Sequence, residues 1–265
     1  MPFNSLRFLG VGNAQAPALG TSAAVLELDE RPSLLIDCGP DTLEAYLGAY
    51  GALPSAVFVT HAHLDHIGGL EGLFYRIALD GGAQPRLYCP VAILPALQRR
   101  LADYPNILAE GGSNFWDAFQ LIPVSESFWH AGLFFNVFPV RHHEFHSAFG
   151  LALAGRFLYT GDTRPIPEVL NRYAGRGEWI FHDCASRRNP SHTGLDDIRI
   201  EYQPAQWRRM VFYHYESHEA GRLIEASGHR VARRGERFDL AASALMTGAQ
   251  PDPEVLVRFE KAGQS

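Results

Sequence analysis

The sequence predicts an α/β protein made of two mixed β-sheets flanked by helices, and three observations predict it. Apolar segments of strand length cluster at the start of the chain without helices between them, whereas later ones alternate with helical patterns. Hydrophobic residues make up 46% of the 265 and charged residues 20%, the balance of a chain that buries a large core. No run of about 18 apolar residues occurs, which excludes a transmembrane helix.

Each element follows from local pattern. Strands are expected at Phe3 to Leu9, Ala23 to Leu28 and Leu34 to Asp37, rich in branched or apolar residues and bounded by Gly, Pro or charge. The next helix is capped by Asp41 or Thr42, carries Leu43, Tyr46 and Leu47 on one face and ends at Gly48 to Gly51. Ala56 to Thr60 is a short buried strand, and Gly68-Gly69 lead into a helix through Leu79. Further strands fit Arg86 to Cys89, Phe134 to Val140, Leu151 to Ala154, Phe157 to Thr160, Trp179 to His182, Met210 to His214 and Arg230 to Arg233. Helices fit Ala92 to Leu101, Ile166 to Tyr173, Leu195 to Tyr202 and Glu219 to Ser227. Residues 1–240 therefore read as one domain. Residues 241–265, with Pro251 and Pro253, read as a C-terminal extension packed on the surface or on a second subunit.

The start of the chain lacks the basic and apolar regions of a signal peptide. Cys38, Cys89 and Cys184 are odd in number and widely spaced, which suits buried thiols in a reducing compartment, so a cytoplasmic location is expected. A net charge of −6 gives no general pull toward polyanions, and a nucleic acid partner is not favoured.

The strand at Ala56 to Thr60 runs into His61-Ala62-His63-Leu64-Asp65-His66, four metal-binding groups on one loop. His61 and His63 alternate, so an extended backbone points both the same way and lets them share one ion. Asp65 and His66 lie past the turn and can face a second ion. Gly68 and Gly69 permit the close backbone approach this requires.

That His-x-His-x-Asp-His pattern resembles the signature of the metallo-β-lactamase superfamily, which implies a metallo-β-lactamase-type αββα sandwich. Phe8-Leu9-Gly10-Val11-Gly12, Ile36-Asp37-Cys38-Gly39 and Tyr159-Thr160-Gly161-Asp162-Thr163 carry the resemblance into the ribonuclease Z and cyclic-phosphate phosphodiesterase branch, across residues 3–240. The resemblance implies Asp162 as a carboxylate bridging both ions and His214, after Val211-Phe212-Tyr213, as a ligand of the second. The third His of the first ion falls in Pro139 to His146. A Pro-x-x-His spacing selects His142, counting back from Gly150 favours His143, and His146 is a further candidate. Ser191-His192-Thr193 looks like the additional His motif of that branch. His192 is then expected to contact the phosphate or protonate the leaving oxygen, with Arg187 and Arg188 adding positive charge and Thr193 capping the next helix. His130, His218 and His229 match no motif and read as ordinary structure.

Two adjacent divalent ions acidify a shared water to hydroxide and stabilise charge on an in-line displacement, so the expected chemistry is hydrolysis. Asp65 would both ligate and orient the nucleophile. Zn2+ is the first expectation for the ions, with Mn2+ or Fe2+ compatible with the same ligands. A small phosphate ester, either a nucleotide or a cyclic phosphate, is the expected substrate. The 19 residues between His142 and Asp162 leave no room for the long arm with which bacterial ribonuclease Z grips transfer RNA. Transfer RNA 3′-processing, hydrolysis of a thioester, lactone or β-lactam, and a non-catalytic metal-binding sensor stand as alternatives. Relatives of this branch are commonly dimers, which makes a homodimer possible.

Overall fold

Each half of the chain begins as an antiparallel meander and ends in parallel strands. The computed structural model describes residues 4–102, 113–175 and 177–240, so the expected C-terminal extension lies outside the described residues. The first half supplies β1 (Asn4–Gly10), β2 (Ala23–Leu28), β3 (Arg31–Ile36), β4 (Ala56–Phe58), β5 (Arg86–Pro90) and β6 (Gln120–Val124). The second supplies β7 (Ser127–His130), β8 (Leu133–Pro139), β9 (Phe149–Leu153), β10 (Phe157–Tyr159), β11 (Trp179–Asp183), β12 (Met210–Tyr213) and β13 (Arg230–Val231). A last strand, β14 (Arg237–Asp239), returns to pair with β1. Two seven-stranded mixed sheets result, in the orders β14-β1-β2-β3-β4-β5-β6 and β13-β12-β11-β10-β9-β8-β7.

The sheets pack face to face through aromatic side chains. Phe8 of β1 lies 6.4, 5.5 and 5.6 Å, between ring centres, from Tyr159, Phe181 and Tyr213 of three strands in the other sheet. At the other end, Phe128 of β7 stacks on Phe58 and Tyr88 of the first sheet. All of these rings are buried, and truncating one such as Phe8 to Ala would cost about 3–5 kcal/mol. Strands buried on both faces read as continuous apolar runs, which is why β4 and β9 to β12 were legible.

Three strands escape the sequence pattern. β6 and β7 are edge strands, half exposed, and β6 carries Pro123, which an edge tolerates. β14 buries only Phe238. The expected helix at Ala92 to Leu101 breaks into a 3-10 turn at Val91–Ile93, one α-turn at Leu94–Leu97 and a π-turn at Gln98–Ala102. Thr42–Tyr50 is helical and ends on left-handed Gly51, but Asp41 does not cap it. Its carboxylate instead accepts from Thr21 N and Oγ1, at 2.9 and 2.6 Å, tying the β1–β2 loop to the helix. Among the described residues, no helix is long and apolar enough to cross a membrane.

Candidate metal centre

Where β4 ends, the chain is gripped by a buried acid that sequence reasoning left without a role. Thr60 N and Oγ1 donate to the Asp37 carboxylate at 2.8 and 2.7 Å, and His66 Nδ1 lies 2.8 Å from the same group. Asp37 holds a left-handed backbone, φ 62°, uncommon without glycine. Gly69 lets the two loops touch: a Cβ there would overlap the Gly39 carbonyl and crowd Cys38 Sγ. Phe149 N donates to Thr60 O at 2.9 Å, so the loop is also fastened to the second sheet.

Two clusters of ligand-type atoms follow. In the first, His61 Nε2 and His142 Nε2 lie 3.1 and 3.2 Å from His63 Nδ1, and 3.7 and 3.8 Å from Asp162 Oδ2. In the second, His66 Nε2 and His214 Nε2 lie 3.3 and 3.2 Å from that same Asp162 oxygen, and 3.5 and 3.6 Å from Asp65 Oδ2. Asp162 therefore stands between the clusters. It leaves β10 through Gly161, whose φ of 63° places it where a side chain is disfavoured.

The donor set fits a pair of divalent cations. His66 Nε2, His214 Nε2 and Asp162 Oδ1 are buried without a hydrogen-bond partner, an arrangement that is costly unless something else satisfies it. Three rear nitrogens are occupied: His61 Nδ1 faces Thr60 Oγ1 at 3.1 Å, His142 Nδ1 donates to Ser191 O at 2.9 Å, and His66 Nδ1 lies 2.8 Å from Asp37; His214 Nδ1 has the Asp183 carboxylate 3.4 Å away. Fixing one ring nitrogen in this way aims the other inward, the usual support of a metal-binding imidazole. Two His/Asp clusters consistent with a dinuclear metal site are thus present.

Charge divides the clusters. Burial, followed by the neighbouring His66, holds His61 well below the ordinary imidazole range. Burial and the facing His142 and His143 bring His63 to about 4, and burial also lowers His142. On the other side burial would again favour neutral rings, but carboxylates outweigh it. Asp162 and Asp37 raise His66 well above its ordinary value, and Asp162 with Asp183 raises His214 to about 10. Burial works against ionised Asp65, yet the nearby His214 and the charge on His66 bring it to about 2.

Of the remaining expected residues, His143 and His146 are exposed, with the His143 ring against His63 and His142 and the His146 ring on Phe145. His192 borders the second cluster: its Nδ1 lies 2.8 Å from Asp183 Oδ2 and 4.0 Å from Asp162 Oδ2. Asp183, fully buried at the end of β11, is the second acid given no role from sequence. The available signal was a carboxylate closing an apolar strand, the same placement that marks Asp162. Thr193 does not cap the following helix, whose N-cap is Gly194; its hydroxyl donates to Thr163 O at 2.8 Å. Arg187 and Arg188 are exposed, and Arg188 lies 4.0 Å from Asp197.

Two face-packed mixed sheets that converge on this centre define a metal-dependent hydrolase of the metallo-β-lactamase fold. Solved structures share that architecture: a diphosphatase of the PhnP family (TM-score 0.67, 23% identity, 89% of this chain and 97% of the other) and human tRNase Z, short form (0.57, 19%, 89% and 99%). More particularly, the chain belongs to the anti-Pycsar protein Apyc1 family, whose model matches residues 4–238. It is similar to the anti-Pycsar protein Apyc1 of Paenibacillus harenae, 30% identical over 187 residues that cover 68% of this chain and 76% of the relative. It is also similar to that of Bacillus phage BSP38, 26% identical over 259 residues that cover 89% and 98%.

Proposed function

We propose that the chain is a phosphodiesterase that opens the ester ring of a small cyclic nucleotide. In this reading His61, His63 and His142 would hold one ion, Asp65, His66 and His214 the other, and Asp162 would serve both. Bound divalent ions, zinc first among them, would supply Lewis acidity to activate water and neutralise charge on the phosphoryl oxygens. Asp65, depressed to about 2 and so ionised at neutral pH, orients the nucleophilic water by accepting its hydrogen bond.

The observation that carries the reading is the Asp183–His192 pair beside the clusters. Burial disfavours the His192 imidazolium, but the Asp183 carboxylate at 2.8 Å outweighs it and raises the pKa. With Nδ1 held by Asp183, Nε2 is the nitrogen that can face a substrate and give a proton to a departing ribose oxygen. An alkoxide is a poor leaving group and needs that proton, whereas p-nitrophenolate does not. Membership of the anti-Pycsar protein Apyc1 family supports a cyclic nucleotide as the ester.

The test is a substrate panel on protein of measured metal content: cyclic nucleotides, methyl p-nitrophenyl phosphate, a thioester and a lactone. Cyclic nucleotides should turn over, and His192→Ala should lower kcat on them by about 100-fold or more, with a smaller loss on the activated ester. Turnover of carbonyl substrates alone would overturn the proposal.

A further inference from the structure

Two cavities meet beside the clusters. One, of about 670 Å³, is lined by His63, His142 and His143 of the centre together with Glu144, Arg164 and Pro190. The other, of about 480 Å³, shares Arg164 and Pro190 with the first and adds Arg141, Arg188, Asp197 and Glu201. Arg164 thus stands at the passage between the two, two residues beyond Asp162.

The turn of Thr163 and Arg164 is held from three directions. Arg164 N donates to Arg141 O at 2.7 Å, and Arg141 N in turn reaches Thr163 Oγ1 at 3.2 Å. Thr163 N donates to Asp183 Oδ2 at 2.8 Å, while Thr163 O accepts from Thr193 N and Oγ1, both at 2.8 Å. The loops after β8, β10 and β11 are therefore stitched into one wall, and a side chain rooted there keeps its place relative to Asp162 and His192.

The neighbouring guanidinium of Arg141 is engaged by Glu168 at 3.0 Å, and that of Arg188 approaches Asp197. For Arg164, among the described residues, only Nε is engaged, with Arg141 O at 3.3 Å, and no carboxylate lies in ion-pair reach of its guanidinium. A planar fork left in this state at a cavity mouth is suited to bidentate hydrogen bonds or to stacking on an aromatic ring. The second cavity offers both donors and carboxylate acceptors. That mixture matches the edge of a nucleobase and sugar hydroxyls, and the two carboxylates oppose a second phosphate.

Resting on the phosphodiesterase reading, the geometry points to Arg164 as a substrate-selecting residue that grips the nucleoside part of the ester. With the scissile phosphate between His63, His142 and His192, the nucleoside crosses Pro190 toward the second cavity, and Arg164 holds it at the crossing.

Arg164→Ala tests this on metal-loaded protein. KM for a cyclic nucleotide should rise about tenfold or more with kcat nearly kept, opposite to the kcat loss expected of His192→Ala. The loss in kcat/KM should exceed by about the same factor the loss on methyl p-nitrophenyl phosphate, which has no nucleoside. Calorimetry adds a readout without turnover: Arg164→Ala should weaken binding of a nucleoside 5′-monophosphate about tenfold and that of inorganic phosphate much less. Equal losses on both esters, or an unchanged nucleotide affinity, would overturn the inference. Should the unmodified protein open no cyclic nucleotide, the proposed function fails instead, and the calorimetric comparison decides the role of Arg164 alone.

Discussion

The first sheet brings His61, His63, Asp65 and His66 to the centre on one short loop, whereas the second brings His142, Asp162, Asp183 and His214 one at a time from the ends of four strands. The halves share an architecture, so the difference lies in how each is specified. A loop of six residues fixes its own geometry through local backbone and the Asp37 anchor. The second contribution exists only when β8, β10, β11 and β12 are in register. A similar contrast appears in charge: burial lowers the pKa of the rings of the first cluster, while the acids around His66 and His214 raise theirs.

Asp162 is the point at which the halves join, and its removal should have the largest effect. Asp162→Ala is expected to lower the metal content to one ion per chain or less and to reduce turnover on the order of 1000-fold, the loss of several kcal/mol of transition-state stabilisation. Two ions retained by elemental analysis would break the idea that the second sheet completes both clusters.

The ambiguity at the end of β8 gives the next test. His142→Ala should lose an ion from the first cluster and about 100-fold in activity, whereas His143→Ala, exposed beside it, should keep both ions. The reverse result would place the ligand on the exposed side of the loop.

Asp183→Asn probes orientation rather than ligation. Turnover of a cyclic nucleotide should fall about 10- to 100-fold with metal content kept. Because Asp183 raises the His192 pKa, and the acid form of His192 is the useful one, activity declines as pH rises through that pKa. The variant's alkaline limb should therefore move to lower pH. An unmoved limb would show that Asp183 only supports the fold.

The smallest expected effect lies outside the centre, at His229, which packs on Phe212 of β12 with Nε2 buried and unpartnered. Burial, with Arg199 nearby, lowers it from 6.5 to about 4. Between those values the unfolded chain binds the proton that the folded chain refuses, so stability falls as the solution is acidified, with a slope of up to about 1.4 kcal/mol per pH unit. Denaturant titrations of His229→Gln across that window should show a shallower slope. An identical slope would mean that the second sheet does not feel this ring.

Legibility followed the same division. Alternating imidazoles after an apolar strand betray themselves within seven residues, and continuous apolar runs mark strands buried on both faces. Edge strands β6 and β7 are half solvated, so their pattern blurs. Asp41 has the residue type of a helix cap, but Thr21, 20 positions away, offers its carboxylate better partners. Likewise Thr193 is drawn to Thr163 O. Asp37 and Asp183 look in sequence like any acid at a strand end, because what distinguishes them is which imidazole arrives beside them.

By itself the sequence determined the two-sheet class, the loop from His61 to His66 and the chemistry of its donors, since these depend on contacts between near neighbours. Tertiary structure decided between the two candidates by burying His142 beside His63 and leaving His143 exposed, brought Asp162 within reach of both clusters, and set Asp183 beside His192 and His214. Those facts rest on distances between residues far apart in the chain, which only the register and face-to-face packing of the two sheets can set.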